Sequence, residues 1–369
     1  MCSRRLPPTL LCGRGSYETL NTKEDDRERT PLRGRRCSGE IRLRQSHNKA
    51  ELFVVSLPLV TVVTVVYNGE EHLAECAESV LRQTYDNWEY FIVDNCSTDG
   101  TPEIAREFAN RDSRIRYERH DEFVDVIQSH NRGFRTVGPA STYCKFVGAD
   151  DWLFPECLSM MVELAESNPA VGIVGSYRLN GAQVDLVALP YWQSTDAGRE
   201  IVARDIRFSP SSGSGVTGSP TALLLRSAFI REREPFYDET FRHADTEAAY
   251  RILMQSDFGL VHQVLTFIRG TASAEAVRSG RLGSFWPDRL RTLIRYGPLV
   301  LSPSEYREEL RQQLRAYIVM LAKQRVKPSR WGDDEFHSFS RHAINRIVAE
   351  SDDDPDVRRA LNFARLLLR

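Results

Sequence analysis

The sequence lacks an apolar run long enough to cross a bilayer. The longest candidate, residues 52–66, is interrupted by polar side chains and a proline, whereas a membrane-spanning helix needs about 20 consecutive apolar residues. Residues 6–12 are too short for the core of a secretory signal, and prolines break them. We therefore expect a cytoplasmic protein, which a partner could still hold at the inner face of the membrane.

The sequence also lacks an excess of charge of one sign, and it lacks paired cysteines. The 369 residues carry 49 Lys and Arg against 51 Asp and Glu, which excludes the strongly basic surface of a nucleic-acid-binding domain. The seven cysteines are scattered and never form a C-x-x-C pair. Neither a disulfide framework nor a zinc site is therefore expected, and reduced thiols fit best.

A glycine-rich phosphate-binding loop is also missing. The first predicted strand ends in Tyr67-Asn68-Gly69-Glu70, which matches neither G-x-G-x-x-G nor G-x-x-x-x-G-K-[ST]. Backbone amides alone are thus not expected to hold phosphate groups in this protein, and a metal held by carboxylates is the alternative.

Composition divides the chain into three regions. Residues 1–50 are polar and without periodicity, so we expect a disordered or poorly structured N-terminal tail. Attachment to an anionic surface and a misassigned start are the alternatives for this tail. Residues 57–280 alternate apolar runs with helical segments, and residues 281–369 contain helical patterns only, of which 306–323 is amphipathic.

The middle region has the pattern of an α/β fold. The apolar runs that predict strands cover residues 59–66, 88–93, 115–117 and 143–147. Helical patterns with short links separate them, and one of these helices begins at Thr101 with a proline next to it. This alternation predicts a mostly parallel sheet with helices on both faces, followed by an all-helical C-terminal extension.

Polar side chains lie at the carboxyl ends of three of these strands. They are Thr64 and Tyr67, Asp94 and Asn95, and Asp150 and Asp151. Because parallel α/β sheets bind ligands at the carboxyl ends of their strands, we expect these residues to line one crevice. The adjacent carboxylates of Asp150 and Asp151 repel each other and need a cation. A divalent metal that holds a diphosphate is the commonest reason for such a pair.

Four motifs lie in order along this region. They are TVVTVVYN at residues 61–68, SVLRQTY at 79–85, FIVDNCSTDGT at 91–101 and FVGADDWLFP at 146–155. In order and spacing the set resembles glycosyltransferase family 2, and the resemblance covers residues 59–275. It implies a GT-A fold, which is built on a Rossmann-like sheet, a nucleotide-sugar donor, a divalent metal (Mn²⁺ or Mg²⁺) and inversion at the anomeric carbon.

The resemblance assigns contacts with the donor nucleotide to the first two strand ends. Thr64 and Tyr67 would contact uracil or its ribose. Asp94 matches the first acid after the second strand, and Asn95 stands where the family often has an aspartate that hydrogen-bonds uracil. Asparagine can still pair with a base edge, although it replaces an acceptor with a donor.

The third strand end is assigned to the sugar and the metal. By the resemblance, Asp150 would approach the ribose or the sugar, and Asp151 would bind the metal that bridges the diphosphate. Related enzymes often add a late histidine to this metal site, but residues 267–271 contain none. Arg269 in that stretch would neutralise phosphate charge or pair with a surface acid.

The acceptor side is assigned to two later segments. Asp245 falls where the family places its catalytic base, which must take a proton from the attacking hydroxyl. A carboxylate that caps a helix start is the alternative for Asp245. Gly218, Ser219 and Pro220 resemble a segment that lines the acceptor in the family, and an ordinary loop is the alternative for them.

The resulting hypothesis is a metal-dependent, inverting glycosyltransferase of the hexosyltransferase type, acting in polysaccharide or glycoconjugate synthesis. Its expected partners are a UDP-sugar or another nucleotide-sugar, and a carbohydrate or lipid-linked glycan acceptor. No nucleic-acid partner is expected, and the C-terminal helices could form a homo-oligomer. A non-catalytic sugar-nucleotide-binding scaffold is the main alternative, and a nucleotidyltransferase is less favoured because it would need a basic glycine-rich loop.

Overall fold

The computed structural model describes residues 40–41, 54–185, 189–207, 219–269, 274–325, 334–352 and 354–368. Most of the predicted N-terminal tail lies outside these residues. Of this tail, Glu40–Ile41 forms strand β1, which pairs antiparallel with β2 (Val54–Val55). All described residues belong to one unit that spans Ser38–Arg369.

A large sheet forms the centre of this unit. Its strands are β3 (Val60–Val66), β4 (Trp88–Asp94), β5 (Ile115–Arg119), β6 (Tyr143–Phe146), β7 (Trp152–Leu153), β8 (Val171–Asn180), β9 (Gln183–Asp185), β10 (Thr195–Asp196), β11 (Leu223–Arg226) and β12 (Asp257–Ile268). Their order is β10-β12-β8-β11-β6-β3-β4-β5, with β7 paired to β12 and β9 to β8. Strands β3 to β6 run parallel, whereas β11 is antiparallel to both its neighbours.

Helices connect the strands and complete the chain. They are α1 (Leu73–Leu81), α2 (Thr101–Arg111), α3 (Val126–Phe134), α4 (Cys157–Ser167), α5 (Gly198–Arg207), α6 (Ser227–Arg231), α7 (Ala244–Leu253), α8 (Ala274–Leu282), α9 (Phe285–Val300), α10 (Pro303–Arg325), α11 (Asp334–Glu350) and α12 (Pro355–Leu367). The predicted start of α2 at Thr101 is confirmed, with the proline in its first turn. The α/β class and the helical extension are also confirmed.

The sheet is covered on both faces, as alternate residues of β3 show. Val60 and Val62 point into a core that α1, α2 and α4 complete. Val63 points into a second core on the opposite face, which includes side chains of α3, α5 and α7. Because both faces are buried, the strand is apolar along its length rather than alternating with polar residues.

The C-terminal helices share the second core with the sheet. Leu290 and Leu293 of α9 are fully buried in it, and the same cluster continues to Leu361 of α12. The boundary predicted at residue 280 falls inside α8 and stays a prediction. Within the described ranges, no helix is both long enough and apolar enough to span a membrane.

Candidate functional site

The carboxyl ends of β3, β4 and β6 lie at one edge of the sheet. Val66 pairs with Asp94 at the ends of β3 and β4, and β6 runs parallel to β3 on its other side, with Val63 opposite Phe146. The segments that follow these strands therefore emerge together. This places the three polar clusters at the same edge, as the sequence predicts.

Asp151 is the best-anchored carboxylate at this edge. Its side chain is 6% exposed. The Thr221 hydroxyl donates to Oδ2 at 2.6 Å, and the backbone N–H of Arg269 donates to Oδ1 at 3.2 Å. Burial, together with the negative charge of Asp150, raises the pKa of Asp151 to about 6, although the Thr221 hydrogen bond acts in the opposite direction.

A tight turn holds the two adjacent carboxylates. The N–H of Gly148 donates to the Thr221 hydroxyl at 3.0 Å, and the N–H of Asp151 donates back to the Gly148 carbonyl at 3.0 Å. A Cβ atom at position 148 would lie 2.7 Å from Oδ2 of Asp151. A larger residue at position 148 would therefore have to displace the Asp151 carboxylate, whereas glycine leaves room for it.

Lys145 holds the backbone of Thr221 in place. This lysine is fully buried in β6, and its Nζ donates to the Thr221 carbonyl at 2.7 Å. Burial lowers the pKa of Lys145. Thr221 is thus bonded to the Asp151 turn through its hydroxyl and to β6 through its carbonyl, which fixes the loop before β11 against the turn.

Arg269 closes one side of the turn. Its Nε donates to the Asp150 carbonyl at 3.1 Å, and its guanidinium forms an ion pair with Glu75 of α1. The guanidinium carbon lies 5.7 Å from the ring centroids of both Trp152 and Phe267. These contacts join the end of β12 to the turn and to α1.

The side chains of Thr64 and Asp94 are buried within the sheet edge rather than exposed on it. Both side chains are fully buried. The Tyr90 hydroxyl donates to Thr64 at 2.9 Å. The Asp94 oxygens accept from the Ser97 amide at 2.8 Å and from the Tyr117 hydroxyl at 2.7 Å. The structure therefore places both residues at the expected edge, but directs their polar atoms to internal partners.

Asn95 is also occupied by an internal partner. Its Nδ2 donates to the Val124 carbonyl at 2.9 Å, and its Oδ1 accepts from the Val124 amide at 3.1 Å. The side chain is 3% exposed. The side-chain amide of Asn95 thus bonds to both backbone groups of Val124, as the backbone of a neighbouring strand would. It thereby fixes the segment that leads into α3.

Tyr67 is the predicted donor-side residue that the structure does expose. Its side chain is 49% exposed, and its ring lies 4.6 Å from that of Phe123, which is 56% exposed. The sequence prediction missed Phe123. Its only signal was an aromatic residue among charged ones after a strand, which becomes informative once the ring is seen next to Tyr67.

Asp245 and Pro220 line the same small pocket. Asp245 lies in the first turn of α7, and the pocket also includes Phe146 and Tyr237. Burial raises the pKa of Asp245, while the charge of His243 acts to lower it. Ser219 precedes the 3-10 turn Pro220–Ala222, whereas Gly218 lies outside the described residues.

A carboxylate from the C-terminal helices holds the start of α7. Oδ2 of Asp288 accepts from the amides of Arg242 and His243 at 2.8 and 2.9 Å and lies 3.3 Å from Nδ1 of His243. Burial acts to lower the pKa of His243, but the hydrogen bond and charge of Asp288 outweigh it and raise the pKa. Asp288 thus fixes the backbone next to Asp245.

The residues present fit a metal ion that is shared with a ligand. Among the described residues, no group of three or more His, Cys, Asp or Glu side chains could hold a metal by itself. The turn offers the carboxylates of Asp150 and Asp151, and the burial of Asp151 favours a cation beside it. Magnesium-like ions are often bound by one or two carboxylates, with phosphate oxygens completing the shell.

The chain is similar to known glycosyltransferases. Residues 61–232 match the family model for glycosyl transferase family 2. The chain is 33% identical over 118 residues to the glycosyltransferase GlyA of Streptococcus pneumoniae, which covers 32% of this chain and 16% of that protein. It is 31% identical over 195 residues to an uncharacterized glycosyltransferase of Haemophilus influenzae, covering 51% of this chain and 58% of that protein. The chain thus matches less than two thirds of the length of either relative.

The fold is shared with a solved structure. The structure of S. aureus TarS 1–349 in complex with UDP-GlcNAc aligns with 84% of this chain and 88% of that one, at a TM-score of 0.60 and 12% identity. At this identity the similarity concerns the fold alone. It confirms the predicted GT-A architecture.

Proposed function

We propose that this chain, whose residues 61–232 match the family model for glycosyl transferase family 2, transfers a sugar from a nucleotide-sugar to a hydroxyl acceptor, with inversion. The supporting observation is the hydrogen bond between Thr221 and Asp151. It joins the turn expected to hold the donor diphosphate to the Ser219–Pro220 segment expected to line the acceptor. Pro220 in turn shares a pocket with Asp245, so the parts needed for transfer adjoin one another.

A UDP-sugar is the first donor to test. S. aureus TarS, which shares the fold, was solved with UDP-GlcNAc. In this chain the exposed rings of Tyr67 and Phe123 offer a face on which a base can stack. Such stacking tolerates different bases. The side chain of Asn95 is bonded to the backbone of Val124. We therefore propose that Asn95 supports the base-binding region indirectly, in place of the direct base contact expected from the sequence.

Asp245 is proposed as the base that takes the proton of the acceptor hydroxyl. Its raised pKa makes it a stronger proton acceptor than an exposed aspartate, while the neighbouring charge of His243 favours the ionised form. The attacking oxygen then forms its bond to the anomeric carbon as the bond to the diphosphate breaks on the opposite side. The product glycoside therefore has the inverted configuration.

Asp151 is proposed to hold a divalent metal, with Asp150 beside it near the ribose or sugar. Thr221 fixes the Asp151 carboxylate, since its hydroxyl is bonded on both sides. When bound, Mg²⁺ or Mn²⁺ would neutralise the negative charge that develops on the departing diphosphate. The acceptor class that we propose is a carbohydrate or lipid-linked glycan in polysaccharide or glycoconjugate synthesis.

The experiment is a donor panel with two readouts. Purified protein is incubated with UDP-, GDP- and dTDP-sugars with Mn²⁺ or Mg²⁺, and binding (thermal shift) and nucleoside diphosphate release are measured. We expect one donor class to bind and to be hydrolysed slowly, and Asp245→Asn to bind it without hydrolysis. Binding without turnover in the wild type would favour the scaffold alternative. Release of pyrophosphate from a nucleoside triphosphate and a sugar phosphate would favour a nucleotidyltransferase.

A further inference from the structure

Arg269 bridges two parts of the site that are distant in sequence. Its backbone N–H and its Nε bond to the Asp150–Asp151 turn, while its terminal Nη2 pairs with Glu75 on α1. Arg269 directly follows β12. The end of β12, the Asp150–Asp151 turn and α1 therefore meet at this residue.

The inner half of this side chain is fixed and the outer half is accessible. The Nε bond to the Asp150 carbonyl and the nearby Trp152 and Phe267 rings restrain the guanidinium plane. The Arg269 side chain is 22% exposed and that of Glu75 is 51% exposed. Exposed ion pairs contribute little to stability, so a stronger anionic ligand can displace the carboxylate of Glu75.

The charges around the turn create a need for this cation. Asp150, Asp151 and Glu75 place three carboxylates near the expected diphosphate, which would repel a phosphate group. A planar guanidinium binds a phosphate through paired hydrogen bonds, as it binds a carboxylate. The Glu75 carboxylate oxygen bonded to Nη2 therefore occupies the kind of position that a phosphate oxygen would take.

We propose that Arg269 binds the diphosphate of the donor and that Glu75 competes with that diphosphate for the guanidinium. This assignment rests on the proposed function, because it takes the nucleoside diphosphate as the ligand of the crevice. It predicts that Arg269 acts on the phosphates and not on the base. It also predicts opposite effects for the two residues: removing the arginine weakens binding, and neutralising the glutamate strengthens it.

The test compares UDP with uridine, and GDP with guanosine, by isothermal titration calorimetry in Mg²⁺ and in EDTA. We expect Arg269→Ala to weaken diphosphate binding by about 10- to 100-fold, the range for lost hydrogen bonds to a charged group, and to leave nucleoside binding unchanged. Arg269→Lys keeps the positive charge but lacks the planar pair of donors. Its diphosphate affinity should therefore lie between those of the wild type and Arg269→Ala. Glu75→Gln should tighten diphosphate binding about threefold, the scale of an exposed ion pair.

Two controls, one on the same helix and one directly after it, separate this effect from a general change in charge. Glu78, one turn along α1 from Glu75, pairs with Arg82 and Arg111. Glu78→Gln and Arg82→Ala should therefore leave diphosphate binding unchanged. Circular dichroism and thermal unfolding of each variant show whether it is folded, and Glu75→Gln tests the assignment even if Arg269→Ala is unstable.

Two results would overturn the assignment while leaving the proposed function standing. One is that the wild type binds a nucleoside diphosphate and Arg269→Ala binds it with the same affinity. The other is an Arg269→Ala protein that loses nucleoside and diphosphate binding by the same factor, which would make Arg269 a brace of the turn. A wild-type protein that binds no diphosphate would instead defeat the proposed function, and this assignment with it.

Discussion

The Thr221 hydroxyl donates a hydrogen bond to the Asp151 carboxylate at 2.6 Å. The two residues lie 70 positions apart, on a loop before β11 and on the turn after β6. The same hydroxyl accepts from the Gly148 amide. One side chain therefore couples the proposed metal-binding turn to the proposed acceptor segment.

Replacing Thr221 by valine should show the effect of the hydroxyl apart from that of side-chain packing. Valine keeps the shape but leaves the buried Asp151 Oδ2 and the Gly148 amide without their partner, which costs about 1–3 kcal/mol of the free energy of unfolding. Donor affinity should fall as well, because the carboxylate is no longer fixed. Urea denaturation and donor titration measure the two effects. Thr221→Ser keeps the hydroxyl and should retain most donor affinity; equal behaviour of the two variants would contradict the coupling.

Asp151→Asn should stabilise the metal-free protein above pH 6. The folded protein retains the Asp151 proton between about pH 4 and 6, where the unfolded chain has lost it, so this group reduces stability as pH rises through that window. The advantage of the variant should grow across the window and then stay constant, reaching at most about 3 kcal/mol. Urea denaturation in EDTA at several pH values measures it. Asp86→Asn, at an exposed site, is the control, and a pH-independent difference would refute the burial argument.

Asp245→Asn should strongly slow transfer without affecting donor binding. Removing a positioned general base typically lowers the rate by about 10²- to 10⁴-fold. Because burial raises the pKa of Asp245, wild-type kcat should also fall on acidification at a pH above the usual range of an exposed aspartate. Steady-state kinetics with donor affinity measured separately provide the readout. Thr246→Ala, at the next position of α7, is the control; normal transfer by Asp245→Asn would assign the base elsewhere.

Asp288→Asn should lower the pKa of His243. In the wild type the raised pKa of His243 stabilises the fold at and below the ordinary pKa, about 6.5, and this contribution disappears as pH rises through the folded value. The stability lost in the variant should therefore be largest at acidic pH and smaller, though not zero, at alkaline pH, since bonds to two amides are weakened at all pH values. NMR titration of His243 measures the shift. An unchanged titration would mean that Asp288 only caps the backbone.

The sequence was sufficient for the fold class and for predicting that the candidate site residues share one edge of the sheet. Strands such as β3 are buried on both faces and thus appear as uninterrupted apolar runs. The Asp150–Asp151 pair is visible as adjacent charges after such a run. Both signals are local, so they need no knowledge of which segments meet in space.

The direction of individual side chains was not available from the sequence. Asp94 turns to Tyr117 on β5, and Asn95 turns to the backbone of Val124. These partners come from neighbouring segments whose register only the folded sheet defines. Thr221 was missed for the same reason, because its partner lies across the sheet rather than along the chain.

The Asp288 contact has a consequence for how this protein can evolve. A carboxylate of α9 accepts from the backbone amides of Arg242 and His243, shortly before Asp245, so the helical region contributes to the geometry of the proposed acceptor side. Recombination that exchanged the C-terminal helices for those of another lineage would leave the amides of Arg242 and His243 without an acceptor. The two parts should therefore be inherited together, and a change at position 288 should be matched by a change at 242 or 243.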